Sequence, residues 1–353
     1  MSKEETIKNF NPNGAGIKGN LFGLPFTVEE SEIIIIPVPW EVTVSYRTGT
    51  ALGPKAILEA SSQIDFLIKD IPDAWKLGIS MLPYPERLYQ ENLHLRSLAA
   101  DYILTYEKGE SVENQKPMIA RINEACESLN IYVKNTTQNY LKEGKLVGVL
   151  GGDHSTPLGF IRALSEHYNR FGILHIDAHA DLRKAYEGFT YSHGSIMYNA
   201  LKIPAVNRIV QVGIRDLCEE EMNVIDRAMG RVKVFFDDDI KADQYTGKKT
   251  WESICNDIIN ELPPLVYISF DIDGLDPKLC PNTGTPVPGG LEFNQVTYLI
   301  KSLVKSGKKI IGFDLNEVAP GDKDDWDGNV GARLLYQLCN WMAVSQKKLI
   351  ARS

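Results

Sequence analysis

The chain has 353 residues, 43% hydrophobic and 24% charged, enough to bury a sizeable core in one large α/β domain or two smaller ones. Its 38 basic and 46 acidic residues leave a net charge of −8, which argues against nucleic acid or an anionic membrane as partner and suits a small cationic substrate. Five scattered cysteines without CxxC spacing show no disulfide framework and fit a reducing, cytoplasmic setting.

Residues 1–30 read as a polar arm with little periodicity and no apolar stretch of the kind a signal peptide carries. The strongest apolar run, Ile33 to Pro39, is too short to span a bilayer, and Glu32–Val38 reads as a buried strand. A Gly-punctuated loop, Ser45 to Pro54, leads into a helix with Pro54 in its first turn, ending near Gln63. Polar helical patterns at Glu91–Thr105 and Lys116–Leu129 suggest an insertion, about 70–135, packed on the outside.

From there the pattern alternates. Strands are predicted at Lys145–Leu150, Gly172–Asp177, Arg208–Val212, Val232–Phe236, Leu265–Asp271 and Lys309–Asp314. Helices are predicted at Pro157–Tyr168, Ser195–Leu201, Trp251–Glu261, Phe293–Ser306 and Ala332–Ser345. Short apolar strands alternating with helices indicate a mostly parallel sheet covered on both faces, with ligands binding beyond the carboxyl ends of its strands. No linker or internal repeat interrupts 1–353, so one domain is expected.

Three of those strand ends carry chemistry. Gly151-Gly152-Asp153-His154-Ser155 follows the first. Asp177-Ala178-His179-Ala180-Asp181 follows the second, and Asp271-Ile272-Asp273 follows Leu265–Phe270. A strand sends alternate side chains to one side, so Asp177 can converge with His179, and Asp271 with Asp273. So many carboxylates repel strongly unless a cation holds them. Read as strand-end caps, one such cluster would be unremarked; three after three strands point to a metal site. The six candidate ligands are His154, Asp177, His179, Asp181, Asp271 and Asp273. Two imidazoles with four carboxylates and no nearby cysteine suit manganese better than zinc, with nickel, cobalt and iron open on ligand type. Asp276 before Pro277 reads as a turn residue, and Thr283–Gly290 as a rigid loop near the site.

These motifs, GGDHS at 151–155, DAHAD at 177–181 and SFDIDGLDP at 269–277 with TGTPVPGG after it, resemble the ureohydrolase family of arginase, agmatinase and relatives over roughly 32–345. The resemblance implies a three-layer α/β/α fold with a mostly parallel sheet of about eight strands. It also implies two Mn2+ per subunit with a bridging hydroxide, one ion on His154, Asp177, Asp181 and Asp271, the other on Asp177, His179, Asp271 and Asp273. It further implies a homo-oligomer, trimer or hexamer. His193 matches the family's loop histidine that moves a proton, and Glu317 the carboxylate that pairs with the substrate guanidinium; with Asp181 they form the implied catalytic set. Asp314 would orient a ligand or Glu317. The chemistry is consistent: a guanidinium resists neutral water, two divalent ions lower the pKa of a shared water, and the departing amine needs a proton.

Outer loops choose the substrate. The stretch 45–61, PGGL at 288–291 and FDLNEVAP at 313–320 resemble agmatinases more than arginases, and the loop 182–191 lacks the asparagine with which arginases read a substrate carboxylate. Agmatine is therefore expected first, then arginine, then guanidino acids such as 4-guanidinobutyrate, with free guanidine a further possibility. Arg183 pulls the other way, because a guanidinium at the entrance favours a substrate carboxylate unless it turns outward or pairs with Glu187 at i+4. A metal-free binding subunit and a deacetylase-like hydrolase are disfavoured by the complete ligand set and by the GGDHS motif.

Overall fold

The computed structural model describes residues 2–352; residues 1 and 353, the ends of the expected single domain, lie outside the described residues. Eight strands among them form one sheet: β1 (Ile33–Val38), β2 (Ile79–Met81), β3 (Leu146–Gly151), β4 (Phe171–Ile176), β5 (Val206–Ile214), β6 (Val232–Phe236), β7 (Leu265–Asp271) and β8 (Lys309–Asn316). All pairings are parallel, in the order β2-β1-β3-β8-β7-β4-β5-β6. The helices are α1 (Lys3–Asn9), α2 (Gly53–Ser61), α3 (Glu86–Glu107), α4 (Lys116–Lys142), α5 (Leu158–His167), α6 (Ile196–Leu201), α7 (Glu219–Arg227), α8 (Asp237–Tyr245), α9 (Trp251–Glu261), α10 (Phe293–Lys305) and α11 (Trp326–Ser345). Parallel neighbours need crossovers, and α2 to α10 lie in them, with α1 before the first strand and α11 after the last.

The pleat divides the apolar residues of each strand between two cores. Leu174, Ile176, Val266, Ile268, Phe270, Phe313 and Leu315 face the side covered by α2, α9, α10 and α11. Ile173, Val147, Val149, Tyr267 and Ile209 face the side covered by α3 to α6. The result is the three-layer α/β/α arrangement expected from the sequence.

Three features differ from the sequence reading. The 70–135 stretch is not packed on the outside: α3 and α4 are part of the second layer, burying Leu95, Tyr102, Ile122, Leu129 and Val133, and α4 packs on α5, β1 and β3. Their low apolar content reflects one narrow buried stripe on long helices whose other faces meet water. That stretch also contains β2, which pairs with only Ile33 to Ile35 of β1. Beyond it Pro37 has no N–H to offer another strand, so the pairing stops. The N-terminal arm is also more ordered than its polarity suggests. Leu21, Phe22, Leu24 and Phe26 are buried against the first core, and Phe10 rests on Trp75 with ring centroids 5.4 Å apart.

Candidate metal centre

The carboxyl ends of β3, β4, β7 and β8 meet at the middle of the sheet, and the sequence-predicted ligands gather there. His154 comes from the turn after β3, where Gly152 passes so close to Trp40 that a Cβ would fall 2.1 Å from its carbonyl oxygen. Asp177 follows β4, Asp271 ends β7, and Asp273 sits on the turn beyond it. Gly274 lets that turn approach β4: a Cβ there would lie 2.7 Å from the Asp177 nitrogen.

His154 is fully buried, with its Nδ1 facing three carboxylate oxygens: Asp177 Oδ2 at 3.0 Å, Asp271 Oδ2 at 3.2 Å and Asp181 Oδ2 at 3.3 Å. On its other side Nε2 lies 2.9 Å from Ser269 Oγ, and that hydroxyl donates to Asp314 Oδ1 at 3.1 Å. A hydroxyl has one proton. With it committed to Asp314, Ser269 accepts from His154, so Nε2 carries a proton and Nδ1 is the edge turned toward the carboxylates. Three carboxylate oxygens gathered on one edge repel one another unless a proton on Nδ1 or a cation lies between them.

A second group adjoins the first. His179 Nδ1 lies 3.0 Å from Asp273 Oδ2 and 3.5 Å from Asp177 Oδ1. Asp177 thus presents Oδ2 to one group and Oδ1 to the other. Asp271 faces the first group through Oδ2, while its Oδ1 accepts the Asp273 backbone N–H at 2.8 Å. Backbone N–H groups also hold Asp177 Oδ1 (from His179, 2.6 Å) and Asp273 Oδ1 (from Ala178, 3.1 Å), so the two loops pin each other.

The buried ionisable groups of the site shift one another strongly. Burial, then Asp273 and Asp177, push the Asp271 carboxyl well above the usual range, and burial followed by Asp177 raises Asp181 to about 6. Burial pulls the His154 imidazole down, but hydrogen bonding with Asp177, Asp181, Asp271 and Asp314 outweighs it and drives it well up. The donor set fits hard or borderline divalent ions.

Glu317 stands beside this cluster with a left-handed backbone, φ +65°, as does Asp181 at φ +54°. Such strain costs of order 1–3 kcal/mol and is held by its surroundings. For Glu317 these are its N–H on Gly152 O, its Oε1 accepting from the His154 N–H at 2.8 Å, and its carbonyl accepting from Thr283 Oγ1. The Thr283–Gly290 loop therefore abuts the site, with Thr285 Oγ1 reaching Asp273 Oδ2 at 3.5 Å. Asp276 accepts the Lys278 N–H, the turn role its sequence suggests.

His193 opens onto a cavity of about 240 Å³ together with His179, Asp181, Arg183, Tyr186, Asp216 and Glu221. Its Nδ1 is buried without a partner, and burial followed by His179 and His154 lowers its pKa to about 3, far from the unperturbed value its loop position suggests. Arg183 does not pair with Glu187 at helical spacing, because the segment 182–192 is not helical. Its Nε lies 3.8 Å from Glu221 Oε2, and its guanidinium sits 4.8 Å from the Tyr186 ring.

Two residues near the centre escape the sequence reading. His175 Nε2 lies 2.7 Å from Asp177 Oδ2, and Gln211 Nε2 lies 2.9 Å from His175 Nδ1. The signal was there for His175, which precedes Asp177 by two and so shares its side of the pleat. Gln211 is paired with it only through the strand register.

A three-layer protein with a parallel sheet and an acid–imidazole cluster at the carboxyl edge of that sheet is the class defined by fold and site. A sequence model of the arginase family matches residues 31–340. An N(1)-aminopropylagmatine ureohydrolase of Thermus thermophilus is 32% identical over 294 residues, 83% of this chain and 84% of that protein. An agmatinase of Neisseria meningitidis is 29% identical over 308 residues, 86% and 85% of the two chains. The solved agmatine ureohydrolase of Thermoplasma volcanium has the same fold, with a TM-score of 0.70 at 23% identity, covering 98% of this chain and 99% of that one. The chain belongs to the arginase family.

Proposed function

We propose that this enzyme hydrolyses a guanidino compound to urea and an amine, with agmatine, yielding putrescine, first among its substrates. The observation that carries the reading is the convergence of Asp177, Asp181 and Asp271 oxygens on His154 Nδ1 at 3.0–3.3 Å while Ser269 holds its Nε2. His154, Asp177, Asp181 and Asp271 would hold one Mn2+, and Asp177, His179, Asp271 and Asp273 the other. When bound, such ions supply the Lewis acidity that ionises a water near neutral pH.

The remaining residues bind and move protons. Glu317 keeps Oε1 on the His154 N–H and has Oε2 to pair with the guanidinium. His193, uncharged at neutral pH, takes a proton released at the reacting centre onto its unpartnered Nδ1 and passes it to the departing amine. In the cavity lining the buried Glu221 and Tyr186 engage Arg183, which leaves the exposed Asp216 as the anion at the mouth. That balance suits a substrate with a cationic tail, such as agmatine or N(1)-aminopropylagmatine, the compounds named for two of the relatives. Arginine, 4-guanidinobutyrate and free guanidine are the alternatives. One domain, a trimeric or hexameric assembly and a cytoplasmic setting complete the proposal; among the described residues no helix is long and apolar enough to cross a membrane.

Urea release by the manganese-loaded protein, with these compounds offered in parallel, tests the reading. Preference for an amine-tailed substrate supports it. Preference for a carboxylate-tailed one makes Arg183 the anchor and overturns the agmatine assignment.

A further inference from the structure

Directly beneath the ligands, one register row crosses four neighbouring strands with polar side chains: Gln211 on β5 beside His175 on β4, beside Ser269 on β7, beside Asp314 on β8. All four are fully buried. Buried polar groups cost stability unless they are paired, so the pairing is informative. Ser269 and Asp314 hold the Nε2 proton of His154. Gln211 fixes the tautomer of His175.

The Gln211 amide nitrogen has two protons. One goes to the Ala180 carbonyl at 2.6 Å and the other to His175 Nδ1 at 2.9 Å. The reverse amide orientation would set two carbonyl oxygens against each other at Ala180, and the present one leaves Gln211 Oε1 buried without a partner. The fold accepts that cost in order to present both N–H groups. His175 Nδ1 is therefore an acceptor, and the neutral ring carries its proton on Nε2, 2.7 Å from Asp177 Oδ2.

We infer that His175 is not a metal ligand, although one of its ring nitrogens lies with ligand atoms of His154, Asp177 and Asp181 within 4.8 Å of one another, but a positioning residue: a hydrogen-bond donor, its tautomer fixed by Gln211, that orients the carboxylate shared by the two ion sites. The same Gln211 amide ties down Ala180, between His179 and Asp181, so one side chain steadies ligands of both sites. This rests on the binuclear reading above. Removing such outer partners typically weakens metal binding 10–100-fold.

The test compares full-length wild type with His175→Leu, His175→Gln and Gln211→Leu by equilibrium dialysis against Mn2+ with elemental analysis. Glutamine at 175 keeps an N–H donor close to the place of Nε2, whereas leucine does not. His175→Leu and Gln211→Leu are expected to weaken binding by about 10–100-fold, and His175→Gln to restore it to within about threefold of wild type. Unchanged affinity in both leucine variants overturns the inference. So does a glutamine variant as weak as His175→Leu, since the ring itself would then be needed as a ligand. Nitrogen NMR of the metal-free wild type, 15N-labelled at its six histidines, reads the tautomer without reference to metal or to the folding of any leucine variant. A neutral ring protonated at Nε2, and absent from His175→Gln, supports the assignment; a ring protonated at Nδ1 overturns it. A wild type that binds fewer than two ions yet shows this tautomer sinks the binuclear reading instead.

Discussion

At the scale of single residues, Asp177 matters most, because its two oxygens serve two groups of donors. Asp177→Ala is expected to abolish urea release and to strip bound manganese, measured as metal per chain after gel filtration; full metal content with activity would refute its shared role. His193→Ala should behave differently. Its Nδ1 bonds to none of the candidate ligands, so both ions should stay while turnover falls by about 10²–10⁴. Loss of metal would make it a ligand. His193 also carries a pH signature. Its pKa is about 3 in the folded chain, against roughly 6.5 when unfolded. Between those values the unfolded chain binds the extra proton, so this contribution to stability is whole above about pH 6.5 and is lost as pH falls toward 3. In His193→Asn the drop in melting temperature between pH 6.5 and 4.5 should be smaller than in wild type; an equal drop would contradict a buried neutral imidazole.

At the scale of elements, the site depends on two strand-end turns packed backbone to backbone. A methyl group at Gly274 would meet the Asp177 nitrogen at 2.7 Å and its Cα at 3.0 Å. Gly274→Ala is therefore expected to cost about 1–3 kcal/mol in denaturant unfolding and to weaken manganese binding, since the shift separates Asp177 from Asp271. A variant with wild-type metal affinity would show that the two turns need not touch. Much of this level was legible in the sequence. The ligands fell after predicted strands because parallel strands buried on both faces read as short apolar runs, and β6, β7 and α9 begin and end where the pattern predicts. Other elements were not legible for local reasons. Three-residue β2 carries too few positions to show a period. Helices α7 and α8 open on Glu219-Glu220-Glu221 and Asp237-Asp238-Asp239, and bury little apolar surface. The supporting row beneath the ligands was hidden because register, which brings Gln211, His175, Ser269 and Asp314 side by side, is a property of the assembled sheet.

At the scale of the whole molecule, the sheet brings residues more than 160 positions apart into one site: Glu317 accepts from the backbone of His154. Such a centre is preorganised by the fold. Ligand binding to the folded state alone stabilises it, by about 2.7 kcal/mol at a hundredfold excess over Kd. Manganese should raise the melting temperature and a chelator should reverse the gain. The number of Mn2+ ions held per chain at saturation, measured by equilibrium dialysis with elemental analysis, tests the paired centre. Two ions per chain, with urea release appearing as they bind, is the expected result. Urea release by a protein holding one ion or none would contradict a paired centre built on Asp177.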